Sequence, residues 1–154
     1  MLHWIPSLNF AESVVDNIFR DKVEPVQGSV LYCDLLFGYA EHSGIYIGND
    51  EIVHLNKHGE IEIVSPEEFI DGTTAISIYV SCKGNEAVGD EDVAELAEDM
   101  VGEEKDYQWL MNNCHQFTAG CVIGDFENAN NFLVFLKEVS REYLGADNWR
   151  VWDR

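Results

Sequence analysis

Three short apolar runs separated by two tight turns, between residues 44 and 64, constrain this 154-residue chain more than any other feature. Gly-Ile-Tyr-Ile-Gly at 44–48 is followed by Asn49-Asp50, and residues 51–55 return as Glu-Ile-Val-His-Leu. Residues 56–59 turn again, and residues 60–64 alternate polar and apolar. β-Branched and aromatic side chains at a period of two suit a pleated, half-buried strand. Two-residue turns of Asn and Asp tolerate left-handed backbone and join antiparallel neighbours. An antiparallel meander is therefore predicted. Glu24-Pro25-Val26-Gln27-Gly28 is a further turn, residues 29–36 form a strand candidate behind it, and residues 74–81 form another after the meander.

Helical periodicity flanks this block. Phe10, Val14, Val15, Ile18 and Phe19 predict an amphipathic helix over 9–21. Ser65-Pro66-Glu67-Glu68 opens a short helix, with Ser65 as cap, Pro66 at the first helical position and Glu68 completing a capping box. Residues 90–101 place Val93, Leu96, Ala97, Met100 and Val101 on one face, closed by Gly102. A helix starting near Asn112 or Asn113 is expected within 107–123. A final helix over 126–144 buries Phe132, Leu133, Leu136, Val139 and Tyr143 and stops at Gly145. The tail, 148–154, carries Trp149 and Trp152 and either packs back or frays. Repeats, low-complexity linkers and domain boundaries are absent from the sequence. A single α+β domain over 1–154 is the expectation, an antiparallel sheet packed against helices.

Charge narrows the partners. Nine Lys and Arg against 29 Asp and Glu give a formal net charge of −20. That field repels nucleic acid and anionic headgroups at long range. The start, Met-Leu-His-Trp-Ile-Pro, has neither a basic region nor a long apolar stretch, and Asp34 interrupts the apolar run around it. No targeting or membrane-spanning segment is expected, and a cytoplasmic location is the reading. The four cysteines, Cys33, Cys82, Cys114 and Cys121, are then expected as reduced thiols. Cys33 and Cys82 sit in strand-like runs as small core residues.

Chemistry concentrates around Cys114. Asparagines cap helices well, so Asn112-Asn113 would place Cys114 in a first helical turn. The positive end of the helix dipole there favours thiolate, the nucleophilic form. Position alone does not separate a nucleophile from a buried structural thiol. His42 lies just before the strand at 44–48, and His54 lies inside the apolar run Ile52-Val53-His54-Leu55. A buried imidazole needs a polar partner. A hairpin turning at Asn49-Asp50 brings the two histidines together on adjacent strands. With Cys114 they make a nucleophile, base and orienter set. A zinc reading from His42, His54, His58, Cys114 and His115 is weaker, since no Cys-x-x-Cys pair and no helical His-x-x-x-His occurs. His58 reads as a turn residue, and His3 and His115 as ordinary surface or packing residues. No phosphate loop, dinucleotide fingerprint, EF-hand or serine elbow is present, so no cofactor and no metal is expected.

These residues resemble a known family. The segment from Glu41-His42 through Gly-Ile-Tyr-Ile-Gly to His54-Leu55 looks like the first motif of the lecithin–retinol acyltransferase-like domain. Lys105-Asp106-Tyr107 through Asn112-Asn113-Cys114-His115-Gln116-Phe117 looks like its second, centred on Asn-Cys-Glu-His-Phe. The likeness covers roughly 24–124. It implies a circularly permuted NlpC-type, papain-like fold with the nucleophile at a helix N-terminus. It also implies Cys114 as nucleophile, His42 as base and His54 as the residue orienting the imidazole. The acid of the second motif is replaced by His115 and its histidine by Gln116. The acid often found after Gly in the first strand is Ser29, and the C-terminal membrane helix of many animal members is missing.

The implied activity is acyl transfer or hydrolysis through a thioester on Cys114, with a glycerophospholipid ester as donor. Peptide or cell-wall amide hydrolysis uses the same three residues, and a non-catalytic binding module of the same fold is a third reading. Trp4, Phe37, Trp149 and Trp152 could contact acyl chains, although such residues are more often core or scattered surface apolars.

Overall fold

The computed structural model describes residues 21–35, 41–103, 114–128 and 132–154. The helix expected over 9–21, Trp4, Phe37 and the capping residues Asn112 and Asn113 lie outside the described residues, apart from Asp21. In chain order the elements are β1 (Val30–Asp34), β2 (Glu41–Gly48), β3 (Glu51–Leu55), β4 (Ile61–Val64), α1 (Pro66–Ile70), β5 (Tyr79–Lys83), β6 (Glu86–Ala87), α2 (Glu91–Asp99), α3 (Cys114–Ile123), α4 (Leu133–Leu144) and β7 (Asn148–Val151).

The expected meander is present. β1, β2, β3 and β4 pair in sequence, each antiparallel to the next. Asn49 and Asp50 both adopt positive φ, 52° and 58°. That is the pair of left-handed residues whose turn matches the twist of a two-residue hairpin. β5 pairs with β1 and β6 along one flank and with β7 on the other, so the sheet runs β4-β3-β2-β1-β5-β6 with β7 alongside β5. An isolated parallel bridge between Val23 and Trp152 extends that end.

Alternation along the strands makes two apolar faces. Val30, Tyr32, Ile45, Val53, Leu55, Tyr79 and Val151 form one, covered by Val93 and Ala97 of α2, Phe117 of α3 and Leu133 and Leu136 of α4. Leu31, Cys33, Tyr46, Ile52, Val80 and Trp152 form the other, covered by Phe69 of α1. Phe69 and Phe117 are 2% and 0% exposed. Each such side chain contributes about 1.5–3 kcal/mol of transfer free energy.

Several boundaries moved for physical reasons. β2 begins at Glu41, because its ladder with β1 continues through Cys33–His42 and Asp34–Glu41; His42 lies within the strand instead of just before it. The strand expected over 74–81 is Tyr79–Lys83. Just before its forward part Thr73 bonds the Ile70 carbonyl through its hydroxyl and receives the Ala75 N–H, and Ile76 within it is 85% exposed. The helix expected from residue 126 starts at Leu133. Asp125 accepts the Glu127 N–H, and Asn128 donates to the carbonyls of Gln116 and Asp125. Such side-chain bonds to backbone compete with a helix. The tail packs back as β7. Trp149 and Trp152 are 5% and 3% exposed, so they are core residues and not free for acyl chains.

Candidate active site

His42 and Gly44 project from the same face of β2, as residues two apart on a strand do. His54 comes from the neighbouring strand β3. The two imidazoles meet across the strands with centroids 4.8 Å apart and planes inclined by 72°. Gly44 leaves room for Phe69. A Cβ there would stand 2.8 Å from the Val53 carbonyl oxygen and 3.0 Å from Phe69 Cε1. The Phe69 ring thus reaches both histidines, 4.8 Å from His42 and 5.7 Å from His54.

A linear chain of hydrogen bonds runs through the pair. His42 Nε2 lies 2.6 Å from His54 Nδ1, and His54 Nε2 lies 2.9 Å from Glu62 Oε2. Glu62 also receives Asn56 Nδ2 at 3.1 Å. A carboxylate accepts, so His54 donates through Nε2 and, when neutral, presents Nδ1 as an acceptor. His42 then donates through Nε2, which leaves His42 Nδ1 free to accept a proton. Burial lowers the His54 pKa, the charge of His42 lowers it further, and Glu62 only partly offsets them; His54 is therefore a neutral relay at neutral pH. Burial alone would raise the Glu62 pKa, yet hydrogen bonds from His54 and Asn56 hold it below the ordinary value.

Cys114 is the first residue of α3 and is 7% exposed. Its sulfur lies 3.9 Å from the Glu41 carbonyl oxygen and 4.0 Å from His115 Nδ1. His42 also hydrogen-bonds the Cys114 side chain. α3 is buried on nearly every side: Phe117, Thr118, Ala119, Gly120, Cys121 and Val122 are all enclosed. Gly120 admits the Phe126 ring, which a Cβ would meet at 2.3 Å.

His115 is a correction to the sequence reading. It is neither a surface residue nor an ordinary packing residue: it is 5% exposed and wholly engaged in polar contacts. Its Nδ1 lies 2.7 Å from Ser43 Oγ, and its Nε2 lies 3.7 Å from Glu41 Oε1. Glu41 and Ser43 alternate with His42 on β2, so one strand serves the cysteine from both of its faces.

The thiols divide sharply. Burial pushes Cys33 and Cys121 far above the ordinary thiol range. Burial also opposes ionisation of Cys114, but the charge and hydrogen bond of His115, followed by those of His42, overturn it and hold its pKa well below the usual value. Reciprocally, burial would lower the His115 pKa, but Cys114 and then Glu41 raise it to about 9. All four cysteines are free of disulfides.

His58 sits in the turn between β3 and β4, its backbone N–H bonded to Asn56 Oδ1; His3 lies outside the described residues. No group of three His, Cys, Asp or Glu among the described residues is arranged to hold a metal ion. No helix among them is long and apolar enough to cross a membrane.

A histidine-bearing hairpin beside a helix that begins with cysteine, in this chain order, directs attention to one family. The model of the Lecithin retinol acyltransferase family matches residues 24–127. The chain belongs to that family. It is an enzymatic family of lipid acyltransferases and phospholipases with a papain-like fold, and the antiparallel sheet packed against helices agrees with it. No curated protein matches the chain.

Of the three residues singled out by sequence, the fold brings His42, His54 and Cys114 together. Sequence reasoning missed Glu62, Glu41, Ser43 and the role of His115. Glu62 was accessible in principle: it stands opposite His54 in the β3–β4 register, paired across the 56–59 turn. The other three were not, because only the crossing of α3 over β2 joins them.

Proposed function

We propose that the protein is a cysteine-dependent acyl hydrolase or acyltransferase that forms an acyl-thioester on Cys114, with a glycerophospholipid ester as donor. The observation that carries this reading is the relay Glu62–His54–His42 ending beside a cysteine with a depressed pKa. The fold class is read as the permuted papain-like arrangement, in which the histidine strands precede the nucleophile helix.

In the resting state Cys114 is a thiolate and His42 carries the proton. Sulfur attacks the ester carbonyl, a C–S bond forms, and the carbonyl oxygen gains the negative charge. In this reading N–H groups at the start of α3 receive that charge. Such donors contribute roughly 3–4 kcal/mol in comparable sites. As the intermediate collapses, the C–O bond breaks and His42 gives its proton to the leaving alcohol. His42, now neutral, takes a proton from water or from an acceptor alcohol or amine. The resulting nucleophile adds to the thioester, the C–S bond breaks, and the acyl product leaves with the thiolate and imidazolium restored. His54 and Glu62 hold His42 in the one tautomer that permits this exchange.

The test is intact-mass spectrometry after incubation with phosphatidylcholine micelles. The expected result is an acyl adduct on the native chain that Cys114→Ala lacks. Release of fatty acid at an undiminished rate by Cys114→Ala would overturn the thiol mechanism. Absence of an adduct together with cleavage of a cell-wall peptide would overturn the lipid ester in favour of an amide substrate.

A further inference from the structure

Cys114 lies between two imidazoles, and only one of them belongs to the relay. His115 follows the cysteine directly, is buried, and is fixed by a separate set of partners on the other face of β2. Its protonation can be read from hydrogen-bond accounting. The Thr118 hydroxyl donates to the Cys114 carbonyl at 2.9 Å, one helical turn back, and so has no further proton to give. The Ser43 hydroxyl therefore spends its only proton on Thr118 Oγ1, at 2.9 Å. Ser43 Oγ can then only accept from His115, so His115 Nδ1 carries a hydrogen. That Nδ1–H lies between Ser43 Oγ at 2.7 Å and Cys114 Sγ at 4.0 Å.

The other ring nitrogen faces the Glu41 carboxyl, whose side chain is 4% exposed and whose second oxygen has no hydrogen-bond partner among the described residues. A buried carboxyl with so few partners is ionised only with a cation beside it. Among the described residues, His115 is the ion-pair partner it has. A thiolate on the opposite side of the ring favours the same charge.

We propose that His115 is a standing imidazolium, charged by Glu41 and oriented by Ser43, that keeps Cys114 ionised while His42 is left free to shuttle protons. The inference rests on Cys114 being the nucleophile. It divides between two histidines the tasks that one performs in a single-imidazole site: His115 stabilises negative sulfur and does not exchange its proton during turnover, whereas His42 gives and takes one in each half-reaction. It also gives a purpose to the replacement of the acid in the Asn-Cys-Glu-His-Phe pattern by His115.

The pH behaviour follows. The groups that act on His115 and the sulfur are Cys114 on α3, Glu41 and His42 on β2, His54 on β3 and Cys33 on β1. Cys114 loses its proton well below the ordinary thiol value of 9.0, and His115 keeps its own up to about 9. Between these limits the thiolate–imidazolium pair persists; above them the sulfur stays ionised and the imidazolium is lost.

The test measures the rate of iodoacetamide alkylation at Cys114, by peptide mass, as a function of pH. In the native chain the rate should rise well below the ordinary thiol range. In His115→Gln, with native circular dichroism, the midpoint should move up by about one unit or more, the effect of removing an adjacent opposite charge. Glu41→Gln should move it in the same direction by less. An unchanged profile in folded His115→Gln overturns the proposal. If His115→Gln does not fold, the long-range ¹⁵N–¹H spectrum of the native chain at neutral pH decides: both His115 ring nitrogens should have protonated shifts, and a bare nitrogen overturns the proposal. Alkylation needs no lipid, so its outcome is independent of the adduct test. An adduct without a profile shift removes the role of His115 alone.

Discussion

Glu62 shows how much a single acceptor can decide. Its carboxylate fixes which nitrogen of His54 carries the proton, and His54 in turn fixes His42. A glutamine there keeps the size but can turn its amide NH₂ toward His54, which reverses the donor order along the wire. We expect Glu62→Gln to lower kcat by roughly 100-fold or less, at or below the lower end of the ~10²–10⁴-fold that a positioned general base contributes, with KM little changed. Steady-state turnover of a short-chain ester checks this. An equal loss in KM alone would assign Glu62 to substrate binding. At this scale Cys33 and Cys121 are the contrast: burial drives the same side chain away from thiolate, alone at Cys121 and against only a small opposing effect of Arg154 at Cys33. Thiol chemistry here follows from what the sulfur touches.

At the scale of elements, α1 is the least conspicuous part of the site and one of the more consequential. It is five residues long, too short to persist alone. Its start is held by a reciprocal capping box: Ser65 Oγ receives the Glu68 N–H at 3.1 Å, and Glu68 Oε1 receives the Ser65 N–H at 2.9 Å. That box seats Phe69 against both histidine rings. Ser65→Ala should cost about 1 kcal/mol, which for a chain of this size lowers Tm by about 2–4 °C. Calorimetry reads this directly, and a Tm equal to that of the native chain would mean that packing of Phe69 alone holds the helix. α1 and its capping box were readable in the sequence, because a cap is a local pattern within four residues. The delayed start of α4 was not, because Asp125 and Asn128 satisfy backbone groups that a periodicity count assigns to a helix.

For the whole molecule the governing quantity is the charge of −20. A phospholipid substrate must be met at an interface, and an anionic interface repels this chain at distances up to the Debye length, about 10 Å at 0.1 M salt. Turnover should therefore be faster on phosphatidylcholine micelles than on micelles doped with phosphatidylserine, and added salt should narrow the gap. Vesicle co-sedimentation and fatty-acid release at two ionic strengths check this. Equal rates at low salt would place the contact on a locally neutral face. The same scale explains why the sequence left the tail tryptophans open between core packing and acyl-chain contact. β7 pairs with β5 through Tyr79–Val151, Val80–Arg150, Ser81–Trp149 and Cys82–Asn148. That pairing joins residues some 70 positions apart, which no local pattern announces.

By itself, the sequence determined the β1–β4 meander, the capped short helix and the lecithin retinol acyltransferase family frame, and it singled out His42, His54 and Cys114 as candidates. Each of these rests on a period, a turn or a motif spanning few residues. Only the tertiary structure decided that His42 lies inside β2, that β7 closes the far side of β5, and that Glu62 completes the relay. It also decided that Cys114 has a second imidazole beside it. The physical reason is common to all of them: hydrogen-bond partners and neighbouring charges are set by which elements cross. His115 reads as an ordinary residue until α3 lies over β2 and places it between Ser43, Glu41 and the sulfur.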